Sequence, residues 1–109
     1  MAFYNVEATK AADSVVLLTI GFGDGGTNVE IVPEAAEKAE QVAQAIGGGK
    51  TLLVSGPASL PVAFALAHAF GHLFQCVAVK DPKLNGFVVS VSHGGPALGT
   101  LLGETGEAL

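Results

Sequence analysis

The chain has 109 residues, half of them apolar and only 14% charged, which predicts one globular domain (residues 1–109) with a single core. This composition excludes disorder and a membrane span, and the first ten residues lack the basic and apolar segments of a secretion signal. A net charge of −5, with five lysines and no arginine, argues against a long duplex DNA partner. The lone Cys76 agrees with a reducing, cytoplasmic location.

The first half of the chain predicts a β-hairpin followed by a surface helix. Residues 3–7 and 15–20 are rich in β-branched and aromatic side chains, and a short polar segment separates them. A glycine-rich loop follows at residues 21–27, with the spacing G-x-G-x-x-G. Pro33 is predicted to open a helix that runs to the glycines at 47–49. Such a start lies too far from the loop for the helix N-terminus to hold a pyrophosphate.

The second half predicts two buried strands, a helix between them and a closing strand. Residues 51–55 form a short apolar run, residues 61–70 read as a second helix, and residues 75–80 and 86–91 are predicted to pair around a turn. The fold class is therefore α/β. We expect a small mixed sheet with two main helices.

The second helix is apolar on every face except at His68. A helix that is apolar all round is normally buried all round, and a domain of this size usually has solvent behind its helices. We therefore expect this helix to pack against another copy of the chain, in a homo-oligomer.

Ionisable residues are scarce in the second half, and they cluster. His68, His72 and His93 are the only histidines, and Asp81 is the only acid between Glu40 and Glu104. His68 and His72 are four residues apart, so a continuous helix would place both on one face, where they could ligate a metal. The alternative for His68 is a hydrogen-bonded core or interface residue.

Asp81 follows a predicted central strand, where ligands of α/β sheets bind. Its alternative role is that of a turn residue whose carboxylate accepts local backbone amides. His93 ends the last predicted strand. Because residues 75–80 and 86–91 are predicted to run antiparallel, Gly56, Asp81 and His93 are not expected to lie at one edge.

Four blocks of residues 51–93 resemble the CRISPR-associated Csx-three family. Their order is Leu-Val-Ser-Gly-Pro at 53–57, Leu-Ala-His at 66–68 followed by His72, Val-Ala-Val-Lys-Asp-Pro-Lys-Leu at 77–84, and Val-Ser-His at 91–93. The resemblance implies that the α/β domain is Rossmann-like and related to the CRISPR-associated Rossmann-fold domains. It also implies a ring nuclease that binds and cleaves the cyclic tetra-adenylate second messenger of type III CRISPR antiviral signalling, with Mn²⁺ as its divalent metal.

The resemblance also assigns residues. It implies that His72 and Asp81 are catalytic and bind the metal, with His68 as the alternative histidine, and that Lys83 contacts the RNA. The family often has arginine at the position of Lys83, and a lysine lacks the bidentate fork for phosphate. Further substrate contacts are expected from three residues: Gly56, Ser92 and His93.

One histidine and one aspartate are too few for a complete metal site, so we expect residues of opposed subunits to complete it, in a dimer, a tetramer or a ligand-induced assembly. The competing function is a sensor that binds cyclic oligoadenylate or a short RNA without cleaving it.

Overall fold

The computed structural model describes residues 2–109, which form one six-stranded mixed sheet and two helices. The α/β prediction is confirmed. The elements in chain order are β1 (Tyr4–Ala12), β2 (Val15–Phe22), α1 (Asn28–Ile46), β3 (Gly49–Ser55), α2 (Leu60–Phe70), β4 (Phe74–Asp81), β5 (Gly86–Ser92) and β6 (Leu101–Leu102). No helix in the described part of the chain has the length and hydropathy needed to cross a membrane.

The strands lie in the sheet in the same order as in the chain. The three central strands, β2, β3 and β4, are parallel, and antiparallel strands flank them on both sides. Both crossovers step in the same direction, and such crossovers are right-handed, so α1 and α2 cover the same face of the sheet. The hairpin predicted from residues 3–7 and 15–20 is confirmed as β1 and β2, with longer strands.

Helix α1 begins at Asn28, so the prediction that Pro33 opens it is wrong by five residues. Thr27 and Glu30 form a capping box: the Glu30 carboxylate accepts the Thr27 amide at 3.0 Å. Pro33 lies inside the helix, which loses only the one hydrogen bond that a proline cannot donate. The predicted end is confirmed, because Gly47 caps the helix with φ of 68°.

The core has two parts, one on each face of the sheet. The face under the helices packs Leu18, Leu52 and Val77 against the small buried residues of α1 and the buried side of α2. The opposite face buries Leu53 and Cys76 completely. Strand β6 was not predicted. It pairs with β5, and its Leu102 belongs to the part of the core on this opposite face. The chain after β6 folds back, so that Ala108 pairs with Leu102.

The parallel strands give the sheet two distinct ends. The end where β2, β3 and β4 finish is here called the carboxyl edge; it carries Gly56, Asp81 and Lys83. The end where they begin is called the amino edge; because β5 runs antiparallel to β4, Ser92 and His93 lie there beside His72. The expectation that Gly56, Asp81 and His93 do not share one edge is confirmed.

Candidate functional site

The Gly56 loop of the carboxyl edge is held by tight backbone packing. Gly56 has φ of 132°, and a side chain at this position would collide with the carbonyl of Ile20 in β2. Only glycine fits both conditions. The Tyr4 hydroxyl donates a hydrogen bond of 2.6 Å to the Pro57 carbonyl, and its ring lies edge-on to Phe22 at 5.3 Å. The loop therefore has a fixed shape.

Two helices begin at this edge. The Ser59 hydroxyl accepts the Val62 amide and so caps α2, while it donates to the Asn28 side chain at 2.9 Å, in the first turn of α1. The two N-termini thus lie side by side, with their partial positive charges at the same edge of the sheet. Because the Glu30 carboxylate occupies the start of α1, the start of α2 is the N-terminus that favours an anionic ligand near Gly56.

Asp81 builds the turn between β4 and β5. Its Oδ1 accepts the backbone amides of Lys83, at 2.9 Å, and Leu84, at 3.4 Å. Asp81 therefore acts as a turn residue, the role that the sequence left open. Hydrogen bonds within residues 2–109 engage Oδ1 and leave Oδ2 open, and the neighbouring Lys83 is exposed. Asp81 can thus hold the turn and still present one charged oxygen to a ligand.

His93 is anchored at the amino edge by two hydrogen bonds. Its backbone amide donates to the Gln75 carbonyl at 2.6 Å, and its Nε2 lies 2.7 Å from the Gly71 carbonyl. A carbonyl can only accept, so Nε2 donates in this contact. The ring therefore has a defined orientation.

His72 stacks on this anchored ring. The two imidazole centroids are 5.3 Å apart, with 27° between the ring planes. His72 is exposed and lies just beyond the end of α2 at Phe70, so it does not continue the helical face of His68. The sequence spacing suggested a pair of His68 and His72; the structure forms the pair from His72 and His93.

The two remaining candidates have less defined surroundings. His68 is exposed in the last turn of α2, so within one copy it is not the core residue that the sequence allowed. Ser92 ends β5 opposite Cys76, at the amino edge, and is partly buried. Ser92 thus lies with the histidine pair and apart from Gly56 and Lys83.

The structure does not bring His72 and Asp81 together within one copy. The eight residues of β4 separate them, a distance of about 23 Å at the usual rise of a strand. Among residues 2–109, no three side chains of His, Cys, Asp or Glu gather closely enough to hold a metal ion. A single copy therefore does not fit a Mn²⁺ site in which Asp81 is joined by His72 or His68.

Two glycines of the loop at residues 21–27, Gly23 and Gly26, are explained by close packing. A side chain at Gly23 would collide with the Ala2 carbonyl, and one at Gly26 would press on the Phe3 ring. Helix α1 begins directly after the loop, so its distance from the loop does not argue against a pyrophosphate site. The Glu30 carboxylate does, because it already occupies the start of α1. Packing therefore requires Gly23 and Gly26, and Glu30 repels an anion at the start of α1.

Two of the residues with shifted pKa values, Tyr4 and Glu34, hold the carboxyl edge in shape. Burial raises the pKa of Tyr4 to about 12. The amide of Tyr4, followed by that of Phe3 and by Lys38, lowers the pKa of Glu34 despite its partial desolvation. The Glu34 Oε2 accepts these two amides at 2.7 and 2.6 Å, and Lys38 donates to the Tyr4 carbonyl at 2.6 Å. Together they fasten the start of β1 to α1.

The contact between His72 and His93 was the main feature that the sequence reasoning missed. The signal was present: in an antiparallel pair, the residue after the second strand returns beside the residue before the first.

Comparisons of the chain with models of protein families, with curated proteins and with solved structures found no match.

Proposed function

We propose that the protein is a ring nuclease that binds and cleaves cyclic tetra-adenylate, using an active site shared between copies of the chain. The observation that carries this proposal is the histidine pair at one edge and the Asp81 and Lys83 turn at the other, in a chain whose motifs resemble the Csx-three family. The proposed setting is type III CRISPR antiviral signalling in the cytoplasm.

The two edges complement each other chemically. The carboxyl edge offers Lys83, the N-terminus of α2 and the glycine turn at Gly56, which suit phosphate oxygens. The amino edge offers exposed imidazoles, the side chains best suited to proton transfer near neutral pH. The overall acidic charge does not oppose a compact ring of four phosphates, since a small ligand meets only the local groups.

The edges of one copy point in opposite directions along the strands. A second copy placed beyond the carboxyl edge in the same orientation presents its own amino edge there, so a ring held between two copies meets both sets of residues. Such a head-to-tail contact is heterologous and can repeat. We therefore expect the ring to promote assembly of the protein.

In the proposed reaction, an oxygen nucleophile, either water or a ribose 2′-hydroxyl, forms a bond to phosphorus while the bond to the 5′ oxygen breaks. His72 takes the proton of the nucleophile or gives one to the leaving 5′ oxygen, and solvent water exchanges the other proton. The anchored His93 holds the ring of His72 in position. Lys83 and Asp81 of the facing copy hold the phosphate and orient it. Asp81 of one copy and His72 of the next would be the residues to hold a Mn²⁺ ion, which would supply charge stabilisation at the phosphate oxygens.

The decisive experiment mixes two inactive variants. His72→Ala and Asp81→Asn are each incubated with cyclic tetra-adenylate and Mn²⁺, then combined in equal amounts. Asp81→Asn keeps an oxygen for the turn amides and removes only the charge. If the site is shared, random pairing of the two variants restores about a quarter of the wild-type rate. If one copy holds the whole site, the mixture stays as inactive as its components.

Three controls identify the nucleophile, the need for a metal and the activity of the wild-type chain. Product analysis separates the two nucleophiles, because 2′-hydroxyl attack leaves a cyclic phosphate end and water does not. A chelator tests the need for a metal. Ring that stays intact with the wild-type chain, with and without Mn²⁺, defeats the nuclease proposal; if that chain still binds the ring, the protein is a sensor.

A further inference from the structure

We infer that the side chain of Phe22, at the end of β2, is a stacking platform for an adenine base of the bound ring. The inference rests on the proposed function for its ligand, and it adds base recognition to a site that so far contains phosphate contacts and proton-transferring groups. Phe22 is not among the residues from which substrate contacts were expected, which are Gly56, Lys83, Ser92 and His93.

The Phe22 ring is held in place before any ligand arrives. Tyr4 lies opposite it in β1, and the two rings meet edge-on, with 5.3 Å between their centroids and 83° between their planes. Tyr4 is fully buried, and its hydroxyl donates to the Pro57 carbonyl at 2.6 Å. Directly after Phe22, the Gly23 amide donates to the Phe3 carbonyl at 2.9 Å. A ring fixed in this way loses little conformational entropy when a flat ligand stacks on it.

The same ring is open to solvent. Phe22 is 46% exposed, whereas Tyr4 beside it is buried. Exposed aromatic side chains are the surfaces on which proteins that bind single-stranded nucleic acids stack bases, and the order Gly-Phe-Gly occurs in a base-stacking strand of RNA-recognition domains. Packing requires Gly23, but a side chain added at Gly21 would meet no atom within 4 Å. The space beside Phe22 is therefore free for a base.

Further apolar side chains are exposed at the edge where β2 ends. Val29, in the first turn of α1, is 84% exposed, and Leu60, the first residue of α2, is 73% exposed. The hydrogen bond of 2.9 Å between the Ser59 hydroxyl and the Asn28 side chain holds these two helix starts together. An edge that carries exposed apolar groups beside a fixed aromatic ring suits the flat, apolar faces of nucleobases.

Charge orients the nucleotide along this edge. Asp24 and Glu30 are exposed on the Phe22 side, whereas Lys83 follows β4. The acids repel phosphate and do not oppose an uncharged base, so the phosphate lies towards Lys83 and the base towards Phe22. Strand β3 alone separates β2 from β4, so their ends are about 10 Å apart. One nucleotide bridges such a distance from its phosphate to its base.

Equilibrium binding of cyclic tetra-adenylate to the full chain tests the inference. Every chain compared carries His72→Ala, so that the ring stays intact. Phe22→Leu keeps an apolar contact with Tyr4 and removes the flat ring, and should weaken binding about five- to 150-fold, the usual effect of losing one stacked base. Phe22→Tyr keeps the ring and should bind within about twofold of the parent. The matched control, Leu98→Ala, alters a side chain that is 67% exposed and follows β5, and should have no effect.

A second ligand separates stacking from a structural effect. An analogue of the ring that has the same phosphates and no bases should bind equally well to the Phe22→Leu, Phe22→Tyr and parent chains. An equal loss for the ring and the analogue would overturn the inference, because the substitution would then have disturbed the phosphate contacts. Equal binding of the ring by Phe22→Leu and Phe22→Tyr would also overturn it, as would a loss of the same size in Leu98→Ala.

Photochemical crosslinking provides a test that needs no substitution of Phe22. A ring that carries 8-azidoadenine should label the part of the chain that contains Phe22, and labelling confined to other parts would overturn the inference. The outcome is distinct from that of the nuclease proposal. A wild-type chain that binds the ring through Phe22 and leaves it uncleaved refutes cleavage and supports base stacking, whereas a wild-type chain that does not bind the ring overturns both.

Discussion

The amino edge and the carboxyl edge of the sheet are built in different ways. At the carboxyl edge, backbone contacts fix the Gly56 loop and the Asp81 turn: Gly56 packs on β2, and Asp81 accepts the amides of its own turn. At the amino edge, one imidazole is anchored and the other, His72, only stacks on it and remains exposed. A rigid edge suits binding, and an edge with an accessible imidazole suits proton transfer. The comparison can be tested residue by residue.

The largest effect is expected at the amino edge. His72→Ala should lower the cleavage rate by about 10²- to 10⁴-fold, the usual contribution of general acid–base catalysis, and leave ring affinity almost unchanged. Single-turnover cleavage and equilibrium binding measure the two quantities separately. A variant that binds weakly but cleaves its bound ring at the wild-type rate would show that His72 acts in ring binding and not in the chemical step.

His93 is expected to act through His72, as a positioning residue. His93→Gln keeps a donor for the Gly71 carbonyl, whereas His93→Ala loses both this bond and the stacked ring. We therefore expect His93→Gln to retain more activity than His93→Ala and to keep the shape of the wild-type pH profile. Equal loss in both variants, with an altered profile, would instead make His93 a proton-transferring residue.

The next effect is on stability, at the carboxyl edge. Tyr4→Phe removes the hydrogen bond to Pro57 while keeping the ring beside Phe22, and should cost about 0.5–1.5 kcal/mol of unfolding free energy. The wild type should also lose stability as pH rises from 10 towards 12, because the unfolded chain ionises Tyr4 before the folded one does. Chemical denaturation at neutral and alkaline pH measures both effects, and the variant should lack the part of the alkaline loss due to this residue.

The sequence predicted the elements better than the site. Strands and helices follow from local periodicity, so five of the six strands and both helices were located, although the capping box of Thr27 and Glu30 was overlooked and α1 was started too late. The two-residue β6 has no periodicity to read. The site depends on strand register: adjacency of His72 and His93, and their separation from Asp81, follow only from the pairing of β4 with β5.

A smaller effect is expected from Lys83. Lys83→Ala should weaken ring binding about two- to fivefold, since one exposed cation contributes little, and should flatten the salt dependence of binding. Lys10→Ala is the control, because Lys10 is exposed, pairs with Asp13 and lies on β1, which β2 and β3 separate from the strand that leads to Lys83. Titrations at two salt concentrations measure both changes. Equal weakening by the two variants would mean that net charge, and not the position of Lys83, governs affinity.

The smallest effect concerns the contact between β1 and α1 that supports the carboxyl edge. The pKa of Glu34 lies below its usual value in the folded chain, so its contribution to stability is present above the unfolded value of 4.5 and is lost as pH falls through the folded value. Glu34→Gln should remove this part of the acid dependence, and Glu37→Gln, at an exposed position of the same helix, should not. Thermal unfolding between about pH 6 and pH 3 measures it. Identical curves for both variants would mean that the amides of Phe3 and Tyr4 do not hold the Glu34 carboxylate in solution.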